Sequence, residues 1–327
     1  MKILIVHRGI IPVVDYGGTE RVIWDLGHAL AQLGHRIIYL VKPGSFCDFG
    51  KIIAINDNVT LESQIPNDVD LVHFHCGFDL SKVTKPYVFT MHGNSYFPTK
   101  MVKNSIFVSK NHAKRYQSQC YVSNGLNWDN YSNFTQNAKK KHFHFLGKAN
   151  WKVKNVRGAI EIIRKTKKEK LKILGGSRNI KHGLLNNIHH RISFEGYVGG
   201  VDKDQFLNHS KGLIFPVRWH EPFGLAIIES LYYGGAIFGT NYGSLPEIVI
   251  PEVGFLSNNV NDISKILEND FLFSSKKCHD YAVDNFNHKI MANKYLSYYE
   301  QVLNGISLNE KSPILISNND SKLLPWN

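Results

Sequence analysis

Lys2-Ile3-Leu4-Ile5-Val6 opens the chain as one apolar run, and Gly17-Gly18-Thr19-Glu20-Arg21-Val22-Ile23-Trp24-Asp25-Leu26 follows after a polar interval. Ile3 to Val6 shows no polar alternation, so it reads as a strand buried on both faces. Val22, Ile23, Leu26, Ala29, Leu30 and Leu33 then hold helical spacing. Thr19 stands where a cap belongs, and Gly34 where a C-terminal stop belongs. A buried strand, a glycine-marked turn and an amphipathic helix begin a parallel sheet flanked by helices.

The same rhythm runs outward from this stretch. Ile37 to Val41, Leu71 to Phe74, Val88 to Met91 and Ile106 to Val108 are further strand candidates. After the polar stretch Asn127 to Lys141, a second series comprises Phe143 to Leu146, Leu171 to Leu174, Ile192 to Phe194, Leu213 to Phe215 and Ala236 to Phe238. A last helix is expected over Lys289 to Leu303, with Tyr295, Leu296, Tyr299 and Leu303 on one stripe. The Asn- and Ser-rich tail from Gly305 is expected to be loose. The expected fold class is α/β, with two Rossmann-like doubly wound parallel-sheet domains over residues 1–135 and 136–290. Residues 291–327 would add a C-terminal helix returning to the first domain, and a tail. Ligands of such sheets sit beyond the carboxyl ends of the strands, so the loops there matter most.

Composition narrows the class. The chain has 327 residues, 43% hydrophobic and 20% charged, enough to bury two cores and too apolar for disorder. Its four cysteines, Cys47, Cys76, Cys120 and Cys278, follow no disulfide or metal-finger spacing, which points to a reducing compartment. The N-terminal apolar run is too short for a signal peptide, and no run reaches the ~18 residues of a membrane span. A soluble, cytoplasmic protein is expected. The net charge of +12 is concentrated between Lys139 and Arg191, where sixteen Lys or Arg face only Glu161 and Glu169. Such a field attracts nucleotide phosphates or the inner, anionic face of a membrane at its periphery. Nucleic acid is not expected, because no recognition motif accompanies the charge.

The sharpest chemical signal is Glu221-Pro222-Phe223-Gly224-Leu225-Ala226-Ile227-Ile228-Glu229, directly after the strand ending at Phe215. Pro222 and Gly224 fit a turn into a helix, whose first N–H groups and dipole make a site for phosphate or sugar hydroxyls. Glu221 precedes that helix and Glu229 lies two turns inside it. His73 and His75 share one face of a strand, a metal-compatible spacing, but no carboxylate or cysteine motif supports a metal. Ser244 to Glu247 fits a capping box, which makes Glu247 structural. No G-x-G-x-x-G follows the first strand, which excludes a nicotinamide dehydrogenase.

The E-x7-E stretch with its embedded Pro222-Phe223-Gly224-Leu225 resembles the retaining GT-B glycosyltransferases of family 4. The likeness extends along the chain. Gly17-Gly18-Thr19-Glu20-Arg21 resembles that family's first glycine loop, Thr90-Met91-His92-Gly93 its T-x-H-G segment, and Gly243-Ser244-Leu245-Pro246-Glu247 its G-x-P-E turn. Val122-Ser123-Asn124-Gly125-Leu126-Asn127 is similar to its V-x-N-G-x-D segment, with Asn127 in place of Asp.

The resemblance implies a GT-B fold with an interdomain cleft, the donor mainly in the second domain and the acceptor on the first. It implies transfer of a hexose-type sugar from a nucleoside diphosphate donor, UDP as first choice, with retention and with no cofactor or metal. Glu221 would bind donor sugar hydroxyls and Glu229 the ribose. Backbone N–H groups of Phe223, Gly224 and Leu225 would hold sugar and phosphate oxygens. Gly17 and Gly18 would let the first-domain backbone approach the diphosphate, and His92 would sit beside the reacting carbon. Two cations would face the diphosphate: Lys148, in place of the family's arginine, and Lys154, with Lys152 as its rival. Gly196-Tyr197-Val198 resembles the turn lining the base pocket. With no evident covalent nucleophile near His92, the implied mechanism is front-face displacement assisted by the leaving phosphate. A polysaccharide or glycolipid precursor is the expected acceptor. A GT-B nucleotide-sugar epimerase and a nucleotide-sugar-binding pseudoenzyme are the alternatives.

Overall fold

The computed structural model describes residues 1–13, 17–95, 99–176, 189–269, 273–315 and 323–327. The chain divides into unit 1, Met1–Asn127 with Phe286–Asn318, and unit 2, Trp128–Asn285 with Asn319–Asn327. Unit 1 carries β1 (Lys2–Val6), β2 (Arg36–Val41), β3 (Lys51–Ala54), β4 (Leu71–Phe74), β5 (Tyr87–Met91) and β6 (Ser105–Phe107). Unit 2 carries β7 (His142–Leu146), β8 (Leu171–Leu174), β9 (Ile192–Gly196), β10 (Ser210–Phe215), β11 (Ala236–Gly239) and β12 (Gly254–Leu256). The described helices are α1 (Gly18–Gln32), α2 (Lys110–Arg115), α3 (Val156–Lys165), α4 (Gly200–Asn208), α5 (Leu225–Tyr232), α6 (Leu245–Ile248), α7 (Val260–Leu267), α8 (Ser275–Asn285) and α9 (His288–Leu303).

Every strand pair is parallel, and the sheets run β3-β2-β1-β4-β5-β6 and β12-β11-β10-β7-β8-β9. Numbered within its own unit, each sheet has the order 3-2-1-4-5-6 of a doubly wound α/β domain. The central strands are apolar on both faces: Ile3 to Val6 and Leu213 to Ile214 are fully buried. β3 and β12 had not been read from the sequence. Both are edge strands, short and only partly buried, so their apolar runs are brief.

Helix ends follow backbone demands more than the expected caps. Gly34, at φ +85°, ends α1, with its N–H donating to Ala31 O at 2.9 Å and that of His35 to Leu30 O at 3.0 Å. At the other end Gly17 is the N-cap and α1 begins at Gly18, so Thr19 lies inside the helix and caps nothing. In α9 the buried stripe is Met291, Ala292, Tyr295, Tyr299 and Val302, whereas Leu303 is exposed. Asn287 caps α9 by accepting from Ile290 N–H at 2.9 Å.

The expected boundary at 135/136 lies beyond the observed one. Trp128 already stacks on Tyr232, ring centroids 4.4 Å apart, which ties the chain to unit 2 from that residue. The described parts of the tail are docked and not loose. Asn309 Nδ2 donates to Lys103 O at 2.6 Å and to Ser105 O at 3.0 Å, and Leu324 N–H donates to Arg218 O at 2.9 Å within unit 2.

In unit 1, α1 approaches its sheet through Gly27, where a Cβ would strike the hydroxyl of fully buried Tyr39. That hydroxyl donates to Ile23 O at 3.3 Å. Gly27→Ala is therefore expected to lower stability by about 1–3 kcal/mol despite alanine's better helix propensity. Urea unfolding followed by circular dichroism checks this. An unchanged or raised midpoint would contradict the close approach.

Candidate active site

Strand order in unit 2 reverses between β7 and β10, so the loops leaving their carboxyl ends run side by side. Three bonds join them. Arg218 N–H donates to Val153 O at 2.7 Å, Asn155 Nδ2 donates to Pro216 O at 2.9 Å, and Lys154 Nζ donates to Glu221 Oε2 at 2.7 Å. Asn155 adopts left-handed backbone, φ 54°, and caps α3 by accepting from Gly158 N–H at 3.1 Å. That cap turns the chain and sets Lys154 just before the helix.

Glu221 is 5% exposed. A carboxylate so enclosed needs charged or strong donors, and here it has two on one oxygen: Lys154 Nζ and Trp219 Nε1, each 2.7 Å from Oε2. Its Oε1 accepts no bond among the described residues. The Lys154 ammonium also lies 5.0 Å from the Phe215 ring centroid and 5.2 Å from that of Trp219. Lys152, by contrast, is exposed, so Lys154 is the lysine at this carboxylate. Lys148 sits earlier on the same loop, its ammonium 4.9 Å from the Trp151 ring.

The Glu221 loop is held from a second direction. Ser244 N–H donates to Glu221 O at 2.9 Å and Ser244 Oγ donates to Phe223 O at 2.7 Å. The expected capping box at Ser244–Glu247 is not formed, because the Ser244 hydroxyl is engaged by Phe223 and α6 has no side-chain cap. Gly243 takes φ +66°, and a Cβ there would strike the Glu221 backbone. Gly224, at φ +89°, then opens α5, leaving the N–H groups of its first turn beside Glu221. Phe223 is buried and Leu225 half-buried.

The loops after β7, β8 and β9 are stitched in turn, with Ala149 N–H donating to Gly175 O at 2.8 Å and Gly175 N–H to Gly196 O at 2.7 Å. This puts Tyr197, 59% exposed, and half-buried Val198 on the same edge of the sheet as Lys148. Glu229 is placed differently. It is 2% exposed, and its Oε1 accepts from Lys203 Nζ at 2.6 Å and from Tyr131 OH at 3.3 Å. Lys203 itself is buried.

In unit 1 the order reverses between β1 and β4, and the site residues again follow the strand ends. His92 follows β5 and is half-buried, its Nε2 2.8 Å from His75 Nδ1. Burial, with the charge of His7 adding to it, pushes the His92 pKa down to about 3. His7, just past β1, had not been singled out from the sequence. Its Nε2 lies 3.3 Å from Glu20 Oε1. Burial opposes charge on this ring, but the Cys76 and Glu20 beside it raise its pKa to about 9. A Cβ at Gly17 would meet Glu20 Oε2 at 2.8 Å, and one at Gly9 would meet His7 Nε2 at 2.7 Å. Gly17 thus makes room for the ion pair, and Gly18 begins α1. Val14 to Tyr16 of this loop lie outside the described residues.

The cations between Lys139 and Arg191 are only partly a surface field. Lys140 Nζ donates to Tyr233 O at 2.8 Å, and burial lowers its pKa to about 8. Lys172 pairs with Glu195 at 3.0 Å, and Lys211, outside the stretch, pairs with Glu169 at 2.7 Å. Arg178 and Lys181 lie outside the described residues. His73 is a satisfied core histidine, with Nδ1 2.7 Å from Tyr299 OH and Nε2 2.7 Å from Thr90 Oγ1. Among the described residues no cluster of His, Cys, Asp or Glu is placed to hold a metal, and no helix is long and apolar enough to cross a membrane.

Two parallel six-stranded units of this order have the GT-B fold of glycosyltransferases. AviGT4, a glycosyltransferase involved in avilamycin A biosynthesis, has the same fold with a TM-score of 0.76 at 19% identity, covering 93% of this chain and 98% of that one. HepE from Anabaena, in complex with UDP and glucose, gives 0.68 at 14% identity, covering 92% and 100%. Residues 128–282, nearly all of unit 2, match the model of the family of glycosyl transferases group 1. A 41.2 kDa protein of the cps region of Klebsiella pneumoniae is 28% identical over 134 residues, which is 37% of this chain and 37% of that protein. A second, of 42.6 kDa, from the same region is 28% identical over 71 residues, 21% of this chain and 19% of that protein.

The His7–Glu20 pair has a pH signature. Because the folded pKa of His7, about 9, lies above the ordinary 6.5, its stabilisation is complete below 6.5 and lost as pH rises through 9. Wild type should lose stability over that interval by more than Glu20→Gln does, in chemical denaturation at matched ionic strength. Parallel pH profiles would mean that the pair is not ionised.

Proposed function

We propose that this chain transfers a hexose-type sugar from a nucleoside diphosphate donor, UDP first, to an acceptor hydroxyl with retention of anomeric configuration. The observation carrying this reading is Glu221, anchored through Oε2 by Lys154 and Trp219 at the mouth of α5. The anchored carboxylate has Oε1 for donor sugar hydroxyls, and the first N–H groups of α5 lie one turn away for phosphate or sugar oxygens. Lys148 and Lys154 supply positive charge against that growing on the leaving diphosphate, which makes a metal unnecessary. Tyr197 and Val198 line the base end. His92, neutral at working pH, is assigned to the donor sugar. No carboxylate joins the His75–His92 pair among the described residues, and the leaving phosphate takes the acceptor proton in a front-face displacement. An acceptor of polysaccharide or glycolipid-precursor type accords with relatives from a cps region.

UDP should bind in the presence of chelator, with calorimetry as the measure, and product NMR should show the donor's own anomeric configuration. Glu221→Ala and His92→Ala should slow transfer by roughly 10²-fold or more with smaller effects on UDP affinity. Lys154→Met should weaken binding and transfer together. Epimerisation of donor alone would replace transfer with isomerisation, and an inverted product would overturn the retaining mechanism.

Glu229 is assigned to the ribose hydroxyls, with Lys203 Nζ donating to its buried carboxylate at 2.6 Å. If so, 2′-deoxy-UDP should bind wild type about tenfold more weakly than UDP, the loss expected for one hydrogen bond to a charged group. Glu229→Gln should remove most of that discrimination. Equal affinities for the two nucleotides in wild type would leave Glu229 with a purely internal role.

A further inference from the structure

Three histidine rings lie together beyond the middle of the first sheet. His73 is hydrogen bonded at both nitrogens, as described above. His75 packs against it, ring centroids 3.8 Å apart and planes tilted by 35°, and its Nδ1 meets His92 Nε2 at 2.8 Å. His75 is 4% exposed, and its remaining nitrogen, Nε2, is fully buried with no hydrogen-bond partner among the described residues.

One of the two facing nitrogens must donate and the other must present a lone pair. If His92 donated, neutral His75 would carry its proton on Nε2, as a buried N–H with nothing to receive it. If His75 donates, the buried Nε2 is a bare lone pair, and an unmet acceptor costs less than an orphaned buried donor. A charged ring in the pair is disfavoured on two grounds. Burial lowers the pKa of both rings, and positive His7, held by Glu20, stands near them.

We propose that His75 is a positioning residue that fixes His92 as its Nδ1–H tautomer, so that His92 presents an N–H to the donor site and no lone pair. The proposal rests on the reading of His92 as a residue of that site. Its chemical consequence is specific. His92 donates to an oxygen, either a sugar hydroxyl or the oxygen gaining charge as the leaving group departs, and does not accept the acceptor's proton. Deprotonation then falls to the leaving diphosphate. The assignment also gives His75 a role that its position on the strand end does not reveal, because it never needs to touch a ligand.

Two variants of nearly equal size separate this from packing. His75→Asn keeps an N–H at the position of Nδ1, whereas His75→Asp offers only acceptor oxygens and forces His92 to turn its proton toward Nε2. Nitrogen-15 NMR of the imidazole rings should find His92 protonated at Nδ1 in wild type and His75→Asn, and at Nε2 in His75→Asp. Transfer by His75→Asn should stay within about threefold of wild type, and kcat of His75→Asp should fall roughly 10²-fold with little change in KM, as for loss of one transition-state donor. Protonation of wild-type His92 at Nε2 overturns the proposal, and so does an equal loss of activity in both variants. The wild-type spectrum decides the tautomer even if His75→Asp fails to fold. If His92→Ala transfers at the wild-type rate, the placement of His92 at the donor has failed instead, while the spectrum still tests the tautomer.

Discussion

A carboxylate removed from water is tolerable only where donors replace the lost solvent, and much of the second unit serves that requirement at Glu221. Its two donors come from different loops, Lys154 after β7 and Trp219 after β10. Those loops are neighbours because strand order reverses between β7 and β10. They stay in register through the Arg218–Val153 and Asn155–Pro216 bonds, and Ser244 fixes the Glu221 backbone from the turn before α6. Removing any one of these supports leaves a buried charge imperfectly held. The anchoring also restricts the carboxylate to one orientation, as the recognition of hydroxyl positions proposed for it would require.

The first unit solves the converse problem with the same topology. There a cation, the His7 ring, is held by the Glu20 carboxylate at the corresponding reversal between β1 and β4. Glycines serve both arrangements in the same way. Gly9 and Gly17 leave space for His7 and Glu20, and Gly243 leaves space for the Glu221 backbone. In each case the missing Cβ admits part of the protein's own polar framework, so a glycine near a ligand loop does not by itself mark where a ligand's phosphate passes.

The sequence made the interior strands legible because burial on both faces leaves unbroken apolar runs, as in Leu71–Phe74 and Leu171–Leu174. β3 and β12, short edge strands only partly buried, were not read, whereas the edge strands β6 and β9 were. The Glu221 loop was legible as a motif, and so was a lysine before α3, although only the left-handed turn at Asn155 selects Lys154 over Lys152. Trp219 escaped notice because nothing local distinguishes a donor from a core aromatic. Its position two residues before Glu221 in an irregular segment was the available signal. Lys203 could not be found at all, since its partner Glu229 is 26 residues away and meets it only after α4 and α5 have formed. His7 carried a weak signal, as the first polar residue beyond the first strand. The capping expectations at Thr19 and Ser244 failed for one reason: a side chain able to cap was pre-empted, by the extended glycine at Gly17 and by the Phe223 carbonyl respectively.

The discontinuity of unit 1 bears on the order in which the protein takes shape as it is made. Tyr299 and Tyr295 of α9 reach into the first sheet, at His73 and at Thr90. A ribosome working from the amino end delivers them only after all twelve strands have emerged, the last ending at Leu256. Until then His73, buried at the centre of the early-made sheet, lacks one of its two partners, although the described strands of both sheets have already emerged. The first sheet therefore has its described strands long before the second, yet its central histidine is completed only by a helix that follows both sheets. The first unit waits for α9, which is made after the last described strand of the second.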